Sequence, residues 1–349
     1  MFWFFLAYIA LCLYRAKPGL KTLDPDYMSV PRTQSVKGVF ILLVFFSHYN
    51  SYVEYAGTPD NVYVWIVRTF GQCMVAPFLF ISGYGIMESI RRKGEGYVAA
   101  IPKNRVLKTL LPFVIAVLLF GLVQTLLGVR FSPRVWLLSL IGWESLGNSN
   151  WYIFIALLLY LLTYVSFRLL RNARRQELPA LLTAVLTALC VYVMAHFGLK
   201  AYYWYDTALC YCCGMFFSLW RDRIERIINR STAMYLLTLA ALLAATALTK
   251  HLSSNDYADI LCMLLFAALV TVVTMRFAIG NAILEWAGAH LFQIYILQRL
   301  PMLVLDRFGL LDAHPALCFP VCLAVTLLLA VPFERLCDRL WALVSPPAA

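Results

Sequence analysis

Apolar blocks recur along this chain at residues 36–53, 64–90, 105–128, 150–170, 179–197, 203–220, 232–250, 258–277, 284–305 and 315–341. Crossing a hydrocarbon layer as a helix takes roughly 20 apolar residues, and backbone amides in lipid must be satisfied within the segment itself. Ten such blocks in succession leave little choice of fold: an all-α polytopic membrane helix bundle with ten core transmembrane spans. Composition agrees, with 62% hydrophobic and 13% charged residues and a mean hydropathy of +0.76, where a soluble domain carries about 25% charged. Residues 2–14 form a short N-terminal hydrophobic segment, a short or tilted anchor; Arg15 and Lys17 follow it rather than precede it, which speaks against a cleaved signal peptide. Residues 1–31 are thus read as segment and polar connector, and 32–342 as one membrane domain. The stretch 134–146 reads as a short re-entrant or interfacial helix.

The net charge of +11 would suggest nucleic acid in a soluble chain, but here it encodes topology. On the ten-span scheme 22 of the 29 Lys and Arg residues fall on one side, and only Arg68, Arg130, Arg134, Lys200, Lys250, Arg299 and Arg307 on the other. The first side is expected to be cytoplasmic, the C-terminus with it. The longest loops run to roughly 20 residues, so any chemistry belongs to the bundle or its mouths.

Within the first block, Lys37 opens an apolar helix that contains His48. Eleven positions amount to about three turns, so the two share one face roughly 16 Å apart along the axis. An ionisable side chain inside a bilayer faces protein or a water-filled cavity and marks function more often than packing. In the second block Ser82 and Tyr84 bring hydroxyls into the membrane, while Gly83 and Gly85 allow a kink or a close helix contact. Arg105 and Lys108 share a helix face ahead of Pro112, and with Lys37, Arg91 and Arg92 are suited to gathering phosphates. Asn150, Trp151 and Tyr152 open the fourth span, and His290, Gln293, Tyr295 and Gln298 make the ninth the most polar after the first. Ten cysteines lie mainly in apolar segments; even Cys210, Cys212 and Cys213 lack a nearby histidine, so they read as packing and no metal site is expected.

A basic residue, ten residues and a histidine; then Ser82-Gly83-Tyr84; then Arg105 and Lys108 ahead of Pro112; then Trp151-Tyr152; then Gly288 and Ile294-Tyr295: in this order, over residues 32 to about 340, the pattern resembles the acyltransferase-3 family of integral membrane O-acyltransferases. The resemblance puts His48 on the family's essential histidine, Lys37 on its usual arginine, Ser82 to Tyr84 on its SGY-like turn and Arg105 on its basic position. Gln293 stands where many members have serine and Gln298 where many have histidine, with His290 on the same helix as a second imidazole.

The resemblance implies transfer of an acyl group, usually acetyl, from acetyl-CoA to a hydroxyl of a glycan or lipid-linked sugar of the cell envelope. The setting implied is the bacterial cytoplasmic membrane. His48, Ser82 and Tyr84 are then the catalytic candidates; Lys37, Arg105 and Lys108 would hold CoA phosphates; Trp151, Tyr152, His290, Tyr295 and Gln298 would contact the acceptor. Acyl-CoA enters as co-substrate, with no bound cofactor, with membrane lipid around the bundle and without nucleic acid. Because the sequence ends at SPPAA, either the acceptor is modified directly or a separate extracytoplasmic transferase completes the step. A proton-coupled transporter and a lipid-binding assembly partner are the alternative readings, although neither an inverted repeat nor a matched pair of broken helices is visible. The charge count predicts sidedness: a cysteine at position 92 or 223 reacts with an impermeant maleimide only after cells are opened, and one at position 54 reacts in intact cells. Labelling of 92 or 223 in intact cells would reverse the orientation.

Overall fold

The computed structural model describes residues 1–19, 21–54, 58–252 and 256–345. Among the described residues sixteen α-helices follow in order: α1 (Phe2–Leu13), α2 (Val30–Tyr49), α3 (Thr58–Phe70), α4 (Ala76–Ile101), α5 (Lys108–Leu126), α6 (Pro133–Leu140), α7 (Trp151–Leu169), α8 (Glu177–His196), α9 (Ala208–Ile228), α10 (Thr232–His251), α11 (Asp256–Arg276), α12 (Ala282–Ala289), α13 (Leu291–Leu297), α14 (Arg299–Arg307), α15 (Leu310–Ala313) and α16 (Pro315–Val344). A two-residue antiparallel pair, β1 (Lys17–Pro18) with β2 (Phe277–Ala278), completes the chain. The protein is an all-α polytopic bundle. Among the described residues six helical runs are long and apolar enough to cross a membrane, the run 60–126 being counted as one. The ten apolar blocks fall largely on helix, but three are divided, the block 203–220 into a 3-10 turn at Tyr202–Trp204 and α9.

The block expected over 64–90 breaks after α3. Gly71 takes a positive φ of 46°, the chain makes a 3-10 turn through Met74, and Pro77 opens α4 where its missing N–H costs nothing. The block expected over 284–305 falls into α12, α13 and α14, with junctions at His290 and Gln298. Pro301 explains the second junction, since its ring has no N–H for the carbonyl of Leu297 and collides with it in a regular helix. Ser82, Gly83 and Tyr84 are not a turn: they lie inside α4, whose one non-helical residue is Gly94, at φ 61°. Trp220, at φ −116° and ψ 15°, kinks α9 where its apolar block ends and the basic Arg221–Arg230 stretch begins. Of the helix expected over 134–146 only the first half forms, as α6, which ends at Leu140 and is capped by Ser132 accepting from the Val135 amide; the rest is turn and loop. Residues 55–57 of the loop expected opposite the basic side, and 346–349 of the SPPAA tail, lie outside the described residues.

Two crossings organise the bundle. A Cβ on Gly38 of α2 would run into the Leu284 carbonyl of α12, and one on Gly288 of α12 into the Gln34 carbonyl of α2. Gly83 of α4 likewise abuts the Tyr211 backbone of α9, and Gly214 of α9 the Phe80 backbone of α4. Without a hydrophobic drive between helices in lipid, such backbone-to-backbone contact is a main source of association. The segment α1 lies along α2 and α3: the Phe2 amide donates to Asp60 Oδ1 at 2.9 Å, Tyr8 donates to the Val39 carbonyl at 3.0 Å, and Asn281 donates to the Leu11 carbonyl at 2.9 Å. The connector after α1 is pinned by the amides of Gly19 and Asp24, which donate to the carbonyls of Arg276 and Met275. Its Tyr27 donates to Glu225 at 2.8 Å, and Arg221 donates to that same carboxylate.

Replacing Gly288 or Gly214 by leucine is therefore expected to cost more than the roughly 1–3 kcal/mol of ordinary overpacking, because backbone has nowhere to move. Gly96→Ala, in open space on a helix, is expected to stabilise by up to about 1 kcal/mol. Thermal unfolding in detergent checks both; equal melting temperatures for Gly288→Leu and the parent would remove the crossing from the account.

Candidate active site

Two cavities enter the bundle from opposite ends of α2. The first, about 600 Å³, opens at the end carrying most of the basic residues and is lined by α2, α4, α5, α7 and the α12/α13 junction. Lys37, Arg92, Lys93 and Arg105 give it four cationic side chains against one carboxylate, Glu88. Glu88 is itself engaged, accepting from Arg91 at 2.7 Å and from the Ser218 hydroxyl at 2.7 Å. Arg105 donates to the Tyr97 hydroxyl at 2.8 Å with its guanidinium over that ring. The half-buried ammonium of Lys37 has no hydrogen-bond or ion-pair partner among the described residues. Ser82 faces this cavity and shares a 3.1 Å hydrogen bond with Tyr160. Tyr84 is buried in its wall, accepting from Arg221 at 3.0 Å.

His48 lines the second cavity, of about 460 Å³, at the other end of α2. Its walls come from the end of α2, the turn at Gly71–Val75, the loop Ser145–Asn150, Trp151, and the α13/α14 segment with Tyr295 and Arg299. The loop holds its shape by its own bonds: Asn150 donates to the carbonyls of Gly142 and Glu144, both at 2.9 Å, and Ser145 donates to the Asn148 carbonyl at 2.7 Å. Polar atoms without partners gather here: Nδ1 of His48, Oε1 of Gln72, Nδ2 of Asn148 and Nε of Arg299 are all buried and unbonded, while the Tyr295 hydroxyl is hydrogen-bonded to Ser149. Buried polar groups are ordinarily bonded, so several orphans around one space mark a place built for a polar guest.

Among the described residues none lines both cavities. Between them Tyr152, on the first, packs edge to face on Tyr295, on the second, with ring centroids 5.4 Å apart. The Tyr295 ring lies 6.0 Å from the His48 imidazole, and Phe78 backs Tyr152 at 6.2 Å. Tyr152 and Tyr295 thus pack as an aromatic septum between the two cavities.

The model of a family described as an acyltransferase domain matches residues 34–335. The chain belongs to the acyltransferase-3 family. No curated protein and no solved structure matches it. For an acyltransferase of this family, the arrangement divides the residues singled out from sequence. Lys37, Ser82, Tyr84, Arg105 and Tyr152 come together on the basic cavity, and His48, Trp151 and Tyr295 on the other. Three stand outside both. Lys108 is exposed, because residues 102–107 form a π-helical turn whose wider winding takes it off the face of Arg105. His290 stacks on Trp286 and pairs with Glu334 of α16 at 3.3 Å, and Gln293 donates to the same carboxylate. Gln298 is fully buried behind Tyr295, donating to its carbonyl.

Tyr160, Gln34, Gln72 and the Ser145–Ser149 loop are lining residues that the sequence reading passed over; the cluster SLGNSN, small and polar between two apolar blocks, was the available signal for the loop. Asn150→Ala leaves the buried Gly142 carbonyl and the part-buried Glu144 carbonyl without their donor and is expected to destabilise by roughly 1–3 kcal/mol. A melting temperature within error of the parent would show that the loop is held by something else.

Proposed function

We propose that this acyltransferase takes an acyl group, acetyl in the simplest case, from acyl-CoA held at the basic end and passes it to a hydroxyl of a glycan or lipid-linked sugar at the other. The observation carrying this reading is the pair of opposed cavities, one cationic and one containing His48, meeting at the Tyr152–Tyr295 septum. On the charge pattern the first faces the bacterial cytoplasm, where acyl-CoA is found, and the second faces outward.

Lys37 and Arg105, with Arg92 and Lys93 beside them, are suited to the phosphates of the donor, Lys37 because its charge is otherwise unanswered. The pantetheine arm then runs along α4 past Ser82 to the septum, bringing the thioester within reach of the imidazole. His48 acts as general base: the acceptor oxygen forms the new ester bond to the acyl carbon, the C–S bond breaks, and the hydroxyl proton passes by way of His48 to the departing CoA thiolate. Ser82 and Tyr84, on the donor side, orient the arm and its wall rather than the reacting hydroxyl. Nothing in the described residues favours the transporter or assembly readings.

Purified protein supplied with acetyl-CoA and sugar acceptors, and followed by thiol release, tests this. His48→Gln preserves a hydrogen-bonding side chain and is expected to fold, while turnover falls by the roughly 10² to 10⁴ of a lost general base. Lys37→Ala is expected to raise KM for acetyl-CoA about tenfold or more, the cost of one charged hydrogen bond, with Lys37→Arg close to the parent. Full turnover by His48→Gln would remove the imidazole from the mechanism.

A further inference from the structure

The cavity at His48 has an electrostatic character that the transfer reaction does not require. Among the described residues one permanently charged side chain, Arg299, lines it, and no carboxylate does. Arg299 makes no ion pair among the described residues; its guanidinium lies 5.8 Å from the Tyr52 ring, and its Nε is buried without a partner. A guanidinium left without a carboxylate is suited to a planar, bidentate anion from outside the chain. The N-terminus of α7 opens on the same space at Asn150 and Trp151, so the positive end of a 19-residue helix adds to the field. The neutral walls suit the rest of a sugar. Asn148 offers an unbonded amide donor, while Trp151, Tyr203 and Tyr52 offer aromatic faces.

Resting on the acyltransferase reading above, we infer that this cavity selects an acceptor that is both polyhydroxylated and anionic: a sugar whose carboxylate or phosphate is held by Arg299 while a hydroxyl is presented to His48. Neutral sugars lack the group that would answer the guanidinium. They therefore leave a desolvated charge unpaired, which is how a built polar site rejects an analogue missing one group. A sugar acid and a sugar phosphate share this chemistry, and one measurement separates them.

The test is equilibrium binding to the full chain in detergent, by calorimetry, with glucuronate, glucose 6-phosphate and glucose as probes and no acyl donor present. At least one anionic probe is expected to bind ten-fold or more tightly than glucose; which one does identifies the carboxylate or the phosphate as the group recognised. The preference is expected to collapse to within about threefold in Arg299→Gln and to persist in Arg299→Lys, both variants being checked for an unchanged elution profile. A preference for glucose, equal binding of all three, no binding of either anionic probe, or an anion preference undiminished in Arg299→Gln overturns the inference. Because the assay contains no acetyl-CoA, it fails independently of the thiol-release assay. Acceptor-dependent thiol release with no anion preference would leave the transferase reading standing without this one.

Discussion

The site depends on how closely two pairs of helices approach. Where Gly38 and Gly288 let α2 and α12 meet backbone to backbone, and Gly83 and Gly214 do the same for α4 and α9, no side chain fills the gap. The first crossing fixes α2, and with it both Lys37 and His48, against the segment that continues into Tyr295 and Arg299. The second fixes the wall carrying Ser82 and Tyr84. In lipid, where apolar contact with a neighbouring helix gains little over contact with acyl chains, such close approach supplies the specificity that a hydrophobic core supplies in water. The two cavities are what remains open between these clamped pairs.

The ends of that space are unlike because the polar groups along α2 are unlike. Lys37 meets other cations of the basic end, held in place by Glu88, Tyr97 and the Tyr27–Glu225–Arg221 set that docks the connector on α9. His48 meets a loop whose amides and hydroxyls are partly spent on one another and partly directed inward. One end thus gathers cationic side chains, and the other sets His48 and Arg299 among uncharged polar groups.

Much of this was legible in the sequence where a residue was chemically out of place. Lys37 and His48 stood out on an apolar helix at a spacing that three turns explain, and the motif order led to the family. The glycines were readable only as permissive, since which backbone each would touch depends on partners far away in the chain: Gly83 meets Tyr211, and Gly288 meets Gln34. Lys108 was misplaced relative to Arg105 because a regular 3.6-residue period was assumed across a segment that winds as a π-turn. The break at Gln298 was visible in Pro301, three residues on, but apolar content masked it. The pairing of His290 with Glu334 joins residues from separate spans, and no local pattern encodes it.

The septum has one more consequence. Water admitted to both cavities would carry the potential of each bulk phase inward, so that a voltage across the membrane would fall mostly over the layer at Tyr152 and Tyr295 rather than over the full bilayer. A unit charge pushed through it would do or absorb about 2.3 kcal/mol of electrical work for every 100 mV. An acyl group is uncharged and does none. On the transfer proposed above, an acyl group would pass this layer without discharging the membrane voltage, the phosphates of its donor remaining at the basic end.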